Sequence, residues 1–582
     1  MNNMLQKMSE SIHRNFRFST LSFIFIIAYV NIFQMIFGAE NSIVGVIFTI
    51  LMSASMVRDL TATPLKHLVI QAAVLVWMAI AACLVNTLSA PLSFLVNFIT
   101  LLLILYAYTY EYSSHIYFPY ILSYLFLIFI SPVGIERLPG RILGMLTGAL
   151  SIMLYQWFMG RKRVVETARD VLSEMIDDIN LFISYRLGEN AEGPDLSDTR
   201  HKLCRLSQTV YDRRKKNLCV SDASFSMIDA GRGLEHLLIL LHELPDKLSE
   251  REKKSLQNVT AELNQYRAFL QQEIPELPPI KPSLLFTADS ERETELFDHA
   301  LIYIHDRLEH MTDPERRIHY HKTALSFKVR IQAALGWSSV RAVYALRTAL
   351  LLSCATALVQ QLALPHGKWL LFTLASVSLP YSDDVPAKIK KRVTATVIGG
   401  LASVVIYALI PSPTARTAIM MLSGYLSFYF KDYAATFACS TIGALGGAVF
   451  MNGFGFQGAG SVFLIRFGYI LAGVAAGYLI NCLILPYSRA RATEQLWKKY
   501  KTITELLTRI SHSARPDPQL YYHLIIQAHL LEDKLTQNAF LEKWKELPGL
   551  LLQCREQVRQ AHRTWIAERT DAPVFEPEHL AL

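Results

Sequence analysis

Four arginines stand out because they lie inside or beside long apolar stretches. Arg466 lies within the stretch 463–486, Arg141 begins a similar stretch, and Arg347 and Arg392 lie in two more. An arginine in the bilayer centre costs roughly 2.5–3.5 kcal/mol or more, so such a residue usually faces a protein interior or a watery cavity. A guanidinium pairs bidentately with a carboxylate, and an aromatic residue such as Trp369 offers a surface for a ring. The sequence therefore predicts a pathway for an organic anion; for Arg466, snorkelling to the headgroups is the alternative.

Three aspartates follow two short apolar stretches in corresponding positions of the chain: Asp59, Asp383 and Asp384. Short stretches in corresponding positions point to broken helices at a binding site. A carboxylate in a partly dehydrated site has a raised pKa and can carry a proton. The alternative is that these aspartates cap the next helix or pair with neighbouring cations.

Motifs for other chemistry are missing from the sequence. It has no GxxxxGK[ST] phosphate loop, no HExxH and no GxSxG, so we expect no enzyme activity, no ATP hydrolysis and no cofactor. Seven cysteines form no CxxC pair. A loose group of histidines beside Asp313 fits no metal motif, and we expect solvated side chains and no metal there: His305, His310, His319 and His321.

The composition indicates a membrane protein. Of 582 residues, 52% are hydrophobic and 18% are charged, whereas soluble domains have about 25% charged residues. A helix needs about 20 apolar residues to span a bilayer. Twelve stretches approach this length: 18–38, 41–57, 66–88, 91–110, 116–132, 139–160, 340–362, 367–382, 391–411, 414–430, 433–451 and 460–486.

The distribution of Lys and Arg predicts the orientation. Basic residues cluster at 161–163 and at 388–392, while the opposite loops hold few, so we expect both termini in the cytoplasm. We therefore attribute the net charge of +8 to basic residues on the cytoplasmic side of the membrane rather than to nucleic-acid binding. The predicted domains are a cytoplasmic N-terminus, a six-span unit, a cytoplasmic helical region, a second six-span unit and a cytoplasmic helical C-terminal region: 1–17, 18–160, 161–335, 336–486 and 487–582.

The two apolar blocks repeat each other. Three matches recur at offsets of 322, 321 and 325 residues: Pro64 with Pro386, Glu111 with Asp432, and Arg141 with Arg466. A unit with an even number of spans repeats in the same orientation, which predicts an all-α membrane protein of two parallel six-span repeats, about twelve transmembrane helices. The seam between the repeats is the expected pathway.

The second block carries motifs of a known family. GKWLLFTLASVSLP (367–380) and KKRVTATVIGG (390–400) resemble the signature of the fusaric acid resistance/aromatic acid exporter family. Six residues fill its pattern, and Arg347 in ALRTALLL is similar to the opening of its first span: Trp369, Thr373, Pro380, Arg392, Thr396 and Gly399. In the first block, 65–79 lacks the arginine and both glycines. The resemblance implies efflux of aromatic carboxylates or similar anions.

These observations together predict a secondary exporter of small organic anions in the plasma (inner) membrane. Its partners are the substrate, membrane lipids and either further copies of itself or a periplasmic adaptor protein. Two alternatives remain: an anion channel of the same architecture, and a non-transporting envelope scaffold whose helical regions recruit partners.

Overall fold

All secondary structure in the described part of the chain is helical. The computed structural model describes residues 2–56, 64–110, 115–159, 164–189, 196–212, 220–245, 247–279, 291–321, 338–410, 412–430, 432–451, 456–513 and 517–570. The chain divides into two compact units, one of residues 1–159 and 337–492 and the other of residues 160–336 and 493–582.

The first unit contains both apolar blocks. The first block consists of α1 (Asn2–Phe37), α2 (Ser42–Ser55), α3 (Pro64–Thr87), α4 (Ala90–Tyr108), α5 (Tyr117–Phe129) and α6 (Leu138–Phe158). The second consists of α13 (Ser339–Gln361), α14 (Lys368–Val377), α15 (Val385–Leu409), α16 (Pro413–Ser427), α17 (Tyr433–Met451) and α18 (Phe456–Tyr478), which continues as a π-helical turn, Leu479–Ile484.

Seven described helices are long and apolar enough to span a membrane, and three shorter apolar helices, Ala39–Ser55, Tyr117–Phe129 and Lys368–Val377, accompany them. Lipid cannot hydrogen-bond a polypeptide backbone, so an apolar segment in a bilayer folds as a helix that satisfies its own polar groups. Large apolar side chains such as Met35, Trp157 and Leu409 are 86%, 72% and 76% exposed on this unit. The chain is therefore an integral membrane protein.

Several helix contacts recur in the two blocks. The sixth helix of each block packs against the second and third helices, and the third packs against the fifth. Between the blocks, α4 packs along α13, and α1 contacts α16. At the second of these contacts, the Thr20 and Tyr425 hydroxyls are 2.9 Å apart. The first helix of each block thus contacts the fourth helix of the other.

The second unit is a bundle of amphipathic helices: α7 (Val164–Arg186), α8 (Leu196–Asp212), α9 (Asp222–Glu243), α10 (Glu250–Leu270), α11 (Glu291–His310), α12 (Pro314–Ile318), α19 (Arg489–Ser511), α20 (Pro518–Glu542) and α21 (Leu547–Thr570). The division between units falls at residue 493, within α19. Polar residues define the helix starts, as where Ser249 and Glu252 form a capping box on α10. Apolar residues at helical spacing, such as Val171, Met175 and Ile179, are fully buried in the core.

Candidate functional site

Two cations on α15 lie over two aromatic rings on α17. The Lys388 Nζ is 3.3 Å from the ring centroid of Tyr433, and the Arg392 Cζ is 3.4 Å from that of Phe437. The two cations are four residues apart on α15, and the two aromatic residues are four residues apart on α17. The cations therefore share one face of their helix, and the rings share one face of theirs. A cation held against the face of an aromatic ring is attracted by the ring quadrupole.

Small and hydroxyl-bearing residues bring α15 and α17 close enough for these contacts. A Cβ added at Gly399 would lie 2.5 Å from the carbonyl oxygen of Ala438, so only glycine fits there. The Thr396 and Ser403 hydroxyls each donate to a carbonyl of their own helix, which satisfies them without a partner on α17. Two motif residues of the sequence, Thr396 and Gly399, thus serve helix packing.

A second cation–aromatic contact joins α18 to α14. The Arg466 Cζ is 5.3 Å from the ring centroid of Trp369, whose other stacking partner is His366 at 4.9 Å. Seven residues after Arg466, a Cβ at Gly473 would approach the Thr373 side chain to 3.0 Å. The close approach of α18 to α14 at this glycine positions the arginine beside the indole.

These six residues, Lys388, Arg392, Arg466, Trp369, Tyr433 and Phe437, form what we call the cation–aromatic cluster. Arg392 and Arg466 are 3% and 5% exposed, and they interact electrostatically with each other. Among the described residues, no hydrogen-bond partner is present for Nε and Nη1 of Arg392 or for Nε of Arg466. An unpaired buried charge is strongly unfavourable, which makes these N–H groups candidates for a polar or charged partner.

Acidic residues do not neutralise the cluster. The nearby Asp432 pairs with Lys391 at 3.5 Å, and both of these side chains are more than half exposed. Within the part of the chain that the structure describes, Lys388, Arg392 and Arg466 form no ion pair with a carboxylate. The cluster is therefore a site of uncompensated positive charge beside aromatic rings.

Arg347 occupies a different kind of environment. Its Nη2 donates to the Leu379 carbonyl at 2.6 Å and its Nη1 donates to the Leu485 carbonyl at 2.8 Å. These carbonyls lie just beyond the ends of α14 and the π-helical turn, where backbone oxygens lack intrahelical partners. Arg347 thus joins two helix ends.

Arg141, the repeat counterpart of Arg466, also binds backbone. Its Nη2 donates to the Ser131 hydroxyl at 2.9 Å, and its guanidinium reaches the carbonyls of Ser131 and Glu40, each at 3.2 Å. The two arginines are each followed by a close helix contact, because a Cβ at Gly148, seven residues after Arg141, would lie 2.0 Å from the Phe48 ring on α2. Gly148 on α6 thus packs against α2, and Gly473 on α18 packs against α14; in each block this is a contact of the sixth helix with the second.

The two predicted proton carriers in the second block bind the start of α19. Asp384 forms an ion pair with the Arg489 side chain, and Asp383 accepts a hydrogen bond from the Arg489 backbone N–H. Their partner is thus Arg489 rather than a neighbouring lysine. Asp59, the third predicted carrier, lies outside the described residues.

A polar cavity of about 380 Å³ lies along the seam between the blocks, where the end of α3 and the start of α4 meet the last turns of α13. Asn97, Ser353 and Thr356 line it and are at most 2% exposed. Their side-chain amide and hydroxyl groups have no hydrogen-bond partner among the described residues. Nearby, Gln360 donates to Asn86 at 3.1 Å and links the two blocks.

In the second unit, the structure divides the group of four histidines identified in the sequence, His305, His310, His319 and His321. His310 pairs with Asp306, and Asp313 caps α12 through the backbone N–H of Glu315. His319 and His321 instead converge on Asp222. Asp222 was missed from the sequence because it precedes His319 by 97 residues.

The comparisons with known proteins agree with the motifs of the second block. Residues 353–480 match the family described as fusaric acid resistance protein-like. No curated protein and no solved structure matches the chain. The match and the apolar helices identify a multi-pass membrane protein of the transport and efflux class. The chain therefore contains a fusaric acid resistance protein-like domain, as its motifs predicted.

Proposed function

We propose that this protein is a secondary exporter of small aromatic carboxylates or related organic anions. The observation that carries the proposal is the cation–aromatic cluster, in which Arg392 and Arg466 are buried against aromatic rings with N–H groups unpaired. The cluster lies inside the block that matches the family. An anion that binds there supplies the missing hydrogen-bond acceptors and counter-charge.

The geometry suits a carboxylate attached to a ring. The Arg392 guanidinium lies over the Phe437 ring, and its Nε and Nη1 N–H groups, unpaired among the described residues, can donate to a carboxylate. Trp369 and the apolar residues packed around it, Leu445 and Val462, offer a surface for the aromatic part of a substrate. A charge-assisted hydrogen bond contributes about 1.5–3 kcal/mol, enough to hold a small anion without making its release slow.

For the architecture, we propose twelve spans in two parallel six-span halves, with the pathway at their seam. The recurring contacts of the sixth helices support the duplication, and the α1–α16 and α4–α13 contacts support a pseudo-two-fold axis between the halves. The polar cavity beside Asn97 and Ser353 supports a hydrated passage along the α4–α13 seam. The basic clusters favour cytoplasmic termini in a plasma membrane.

Proteoliposome flux tests the proposal. We expect purified protein to transport members of a panel of aromatic acids, with uptake that depends on a pH gradient. Arg392→Gln and Arg466→Gln should each raise the KM about 10- to 100-fold, which corresponds to about 1.4–2.8 kcal/mol of binding. Lys391→Gln is the matched control, because it removes the same charge from an exposed neighbouring side chain.

The outcomes separate the candidate functions. Flux that follows voltage and ignores the pH gradient would indicate a channel. No flux of any acid by correctly inserted protein would exclude transport. Glutamine variants that behave like Lys391→Gln would remove the cluster from the mechanism.

A labelling experiment tests the seam. In a variant without native cysteines, Ala357→Cys should react with a membrane-impermeant thiol reagent, because Ala357 lines the cavity and its side chain is partly exposed. Leu352→Cys is the control, since Leu352 is fully buried in the apolar core. Equal reactivity at both positions, or none at Ala357→Cys, would contradict a hydrated passage there.

A further inference from the structure

Three side chains that can bind metals converge in the second unit. The Asp222 Oδ2 is 2.6 Å from Nδ1 of His319 and 3.3 Å from Nε2 of His321. The three potential ligand atoms all lie within 4.8 Å of one another. This cluster is independent of the transport site, and neither the family match nor the sequence motifs account for it.

The local backbone explains why the two imidazoles face the same carboxylate. His319 has an extended conformation, with φ −78° and ψ 130°, and in extended backbone residues two apart point to the same side. The Asp222 backbone N–H donates to the His319 carbonyl at 3.3 Å, which holds this segment against the start of α9. The side chain of Ser221 caps α9 and fixes the direction in which Asp222 leaves the helix.

The carboxylate also has an unused ligand atom. The Asp222 side chain is only 14% exposed, and its Oδ1 atom is buried without a hydrogen-bond partner among the described residues. The two imidazoles are 58% and 38% exposed, so they can move the small distance that a shared ion requires. Their exposure also leaves a side of the cluster open to solvent.

We propose that Asp222, His319 and His321 bind a divalent transition-metal ion, and that Zn²⁺ is the ion that fits this donor set best. Two imidazole nitrogens and one carboxylate oxygen match the ligands of Zn²⁺, which bind at about 2.0–2.2 Å, and water completes the tetrahedron. The bound ion replaces the direct Asp–His contacts and joins the segment after α12 to the start of α9. Its role is structural or regulatory.

Zn²⁺ binding to the full-length protein in detergent tests the proposal. After treatment with a chelator, calorimetric titration with Zn²⁺ should show one saturable site per chain. His319→Gln combined with His321→Gln should weaken this site at least about tenfold, since even outer-shell changes at metal sites reduce affinity by 10- to 100-fold. The matched control is His305→Gln combined with His310→Gln, which removes the same number of imidazoles elsewhere and should leave the site intact.

Absence of a saturable site, or equal weakening by the two double variants, would overturn the proposal. Size-exclusion profiles and circular dichroism check the fold of each variant. If the double variant misfolds, Co²⁺ bound to the wild-type protein provides the decisive reading. Visible absorbance bands of tetrahedral Co²⁺ that Zn²⁺ displaces would support the site, and their absence would refute it.

Discussion

Glu532 gives the sharpest stability prediction for the second unit. Its carboxylate is 1% exposed and accepts two hydrogen bonds from Arg200, at 3.0 and 2.7 Å, and one from Arg555 at 2.6 Å. The Tyr500 hydroxyl donates a fourth at 3.2 Å. Burial alone would raise the pKa of Glu532, but Arg200 and then Arg555 outweigh it and lower the pKa from 4.5 to about 2.

The magnitude follows from this difference. At about 1.36 kcal/mol per pH unit, a folded-state pKa of about 2 against 4.5 corresponds to roughly 3 kcal/mol. Breaking a buried ion pair by removing one partner costs about 3–5 kcal/mol, which agrees. We therefore expect Glu532→Gln to lower the opening free energy of this unit by about 3 kcal/mol near neutral pH.

The direction in which stability changes with pH follows from the lowered folded-state pKa of Glu532. The contribution is fully present above pH 4.5 and is lost as the pH falls towards about 2. Hydrogen exchange of α20 peptides in the full-length protein measures the opening free energy. Glu174→Gln is the control, because Glu174 pairs with Arg205 at 2.8 Å with both side chains nearly half exposed, and such a pair contributes at most about 1 kcal/mol. Equal loss of protection in the two variants would refute the reasoning.

Three further predictions concern the membrane unit, each measured by thermal unfolding in detergent. Gly399→Ala should destabilise by about 1–3 kcal/mol, because the new methyl meets a backbone oxygen at 2.5 Å, whereas Gly468→Ala should be neutral because its Cβ meets open space. Arg347→Gln should destabilise by about 3 kcal/mol or more, because it frees the carbonyls of two helix ends; unchanged stability would contradict that role. Gln71→Leu should cost about 1–3 kcal/mol, since it removes the hydrogen bonds between the Gln71 amide and the buried Tyr120 hydroxyl, but should leave flux unchanged.

Apolar stretches of the sequence predicted most membrane helices within a few residues. The predicted stretch 41–57 corresponds to the helix Ser42–Ser55, and the predicted stretch 367–382 corresponds to the shorter helix Lys368–Val377. The first helix is the exception, because it begins at Asn2 rather than near residue 18. Hydropathy reports which residues lipid can solvate, and it gives no signal for a helix that continues with polar residues beyond the bilayer.

The site was predictable only in part, because contacts between helices depend on their register. Arg392 and Arg466 could be selected from the sequence, since cations in apolar stretches are rare, and Trp369 could be selected because it fills a position of the family motif. Their aromatic partners Tyr433 and Phe437 could not, because they lie on a helix further along the chain and resemble any other apolar residues. Arg347 looked like a pathway residue, and only its contacts with backbone carbonyls distinguish it.

Arg141 and Arg466, which we propose to be equivalent positions of a repeat, differ in their contacts, and in the proposed exporter this asymmetry bears on how an anion would pass. The terminal nitrogens of Arg141 donate to carbonyl and hydroxyl oxygens, whereas Arg466 lies over Trp369; the Nε of each arginine is unpaired among the described residues. A passing ion must bind well enough to enter and weakly enough to leave. Under the proposed mechanism a second cationic cluster on the same path would deepen the well, so a single cluster per chain, with Arg141 held by backbone and hydroxyl oxygens, would favour release. In the exporter that we propose, the first block would contribute packing along the seam, and the second block would contribute the positive charge.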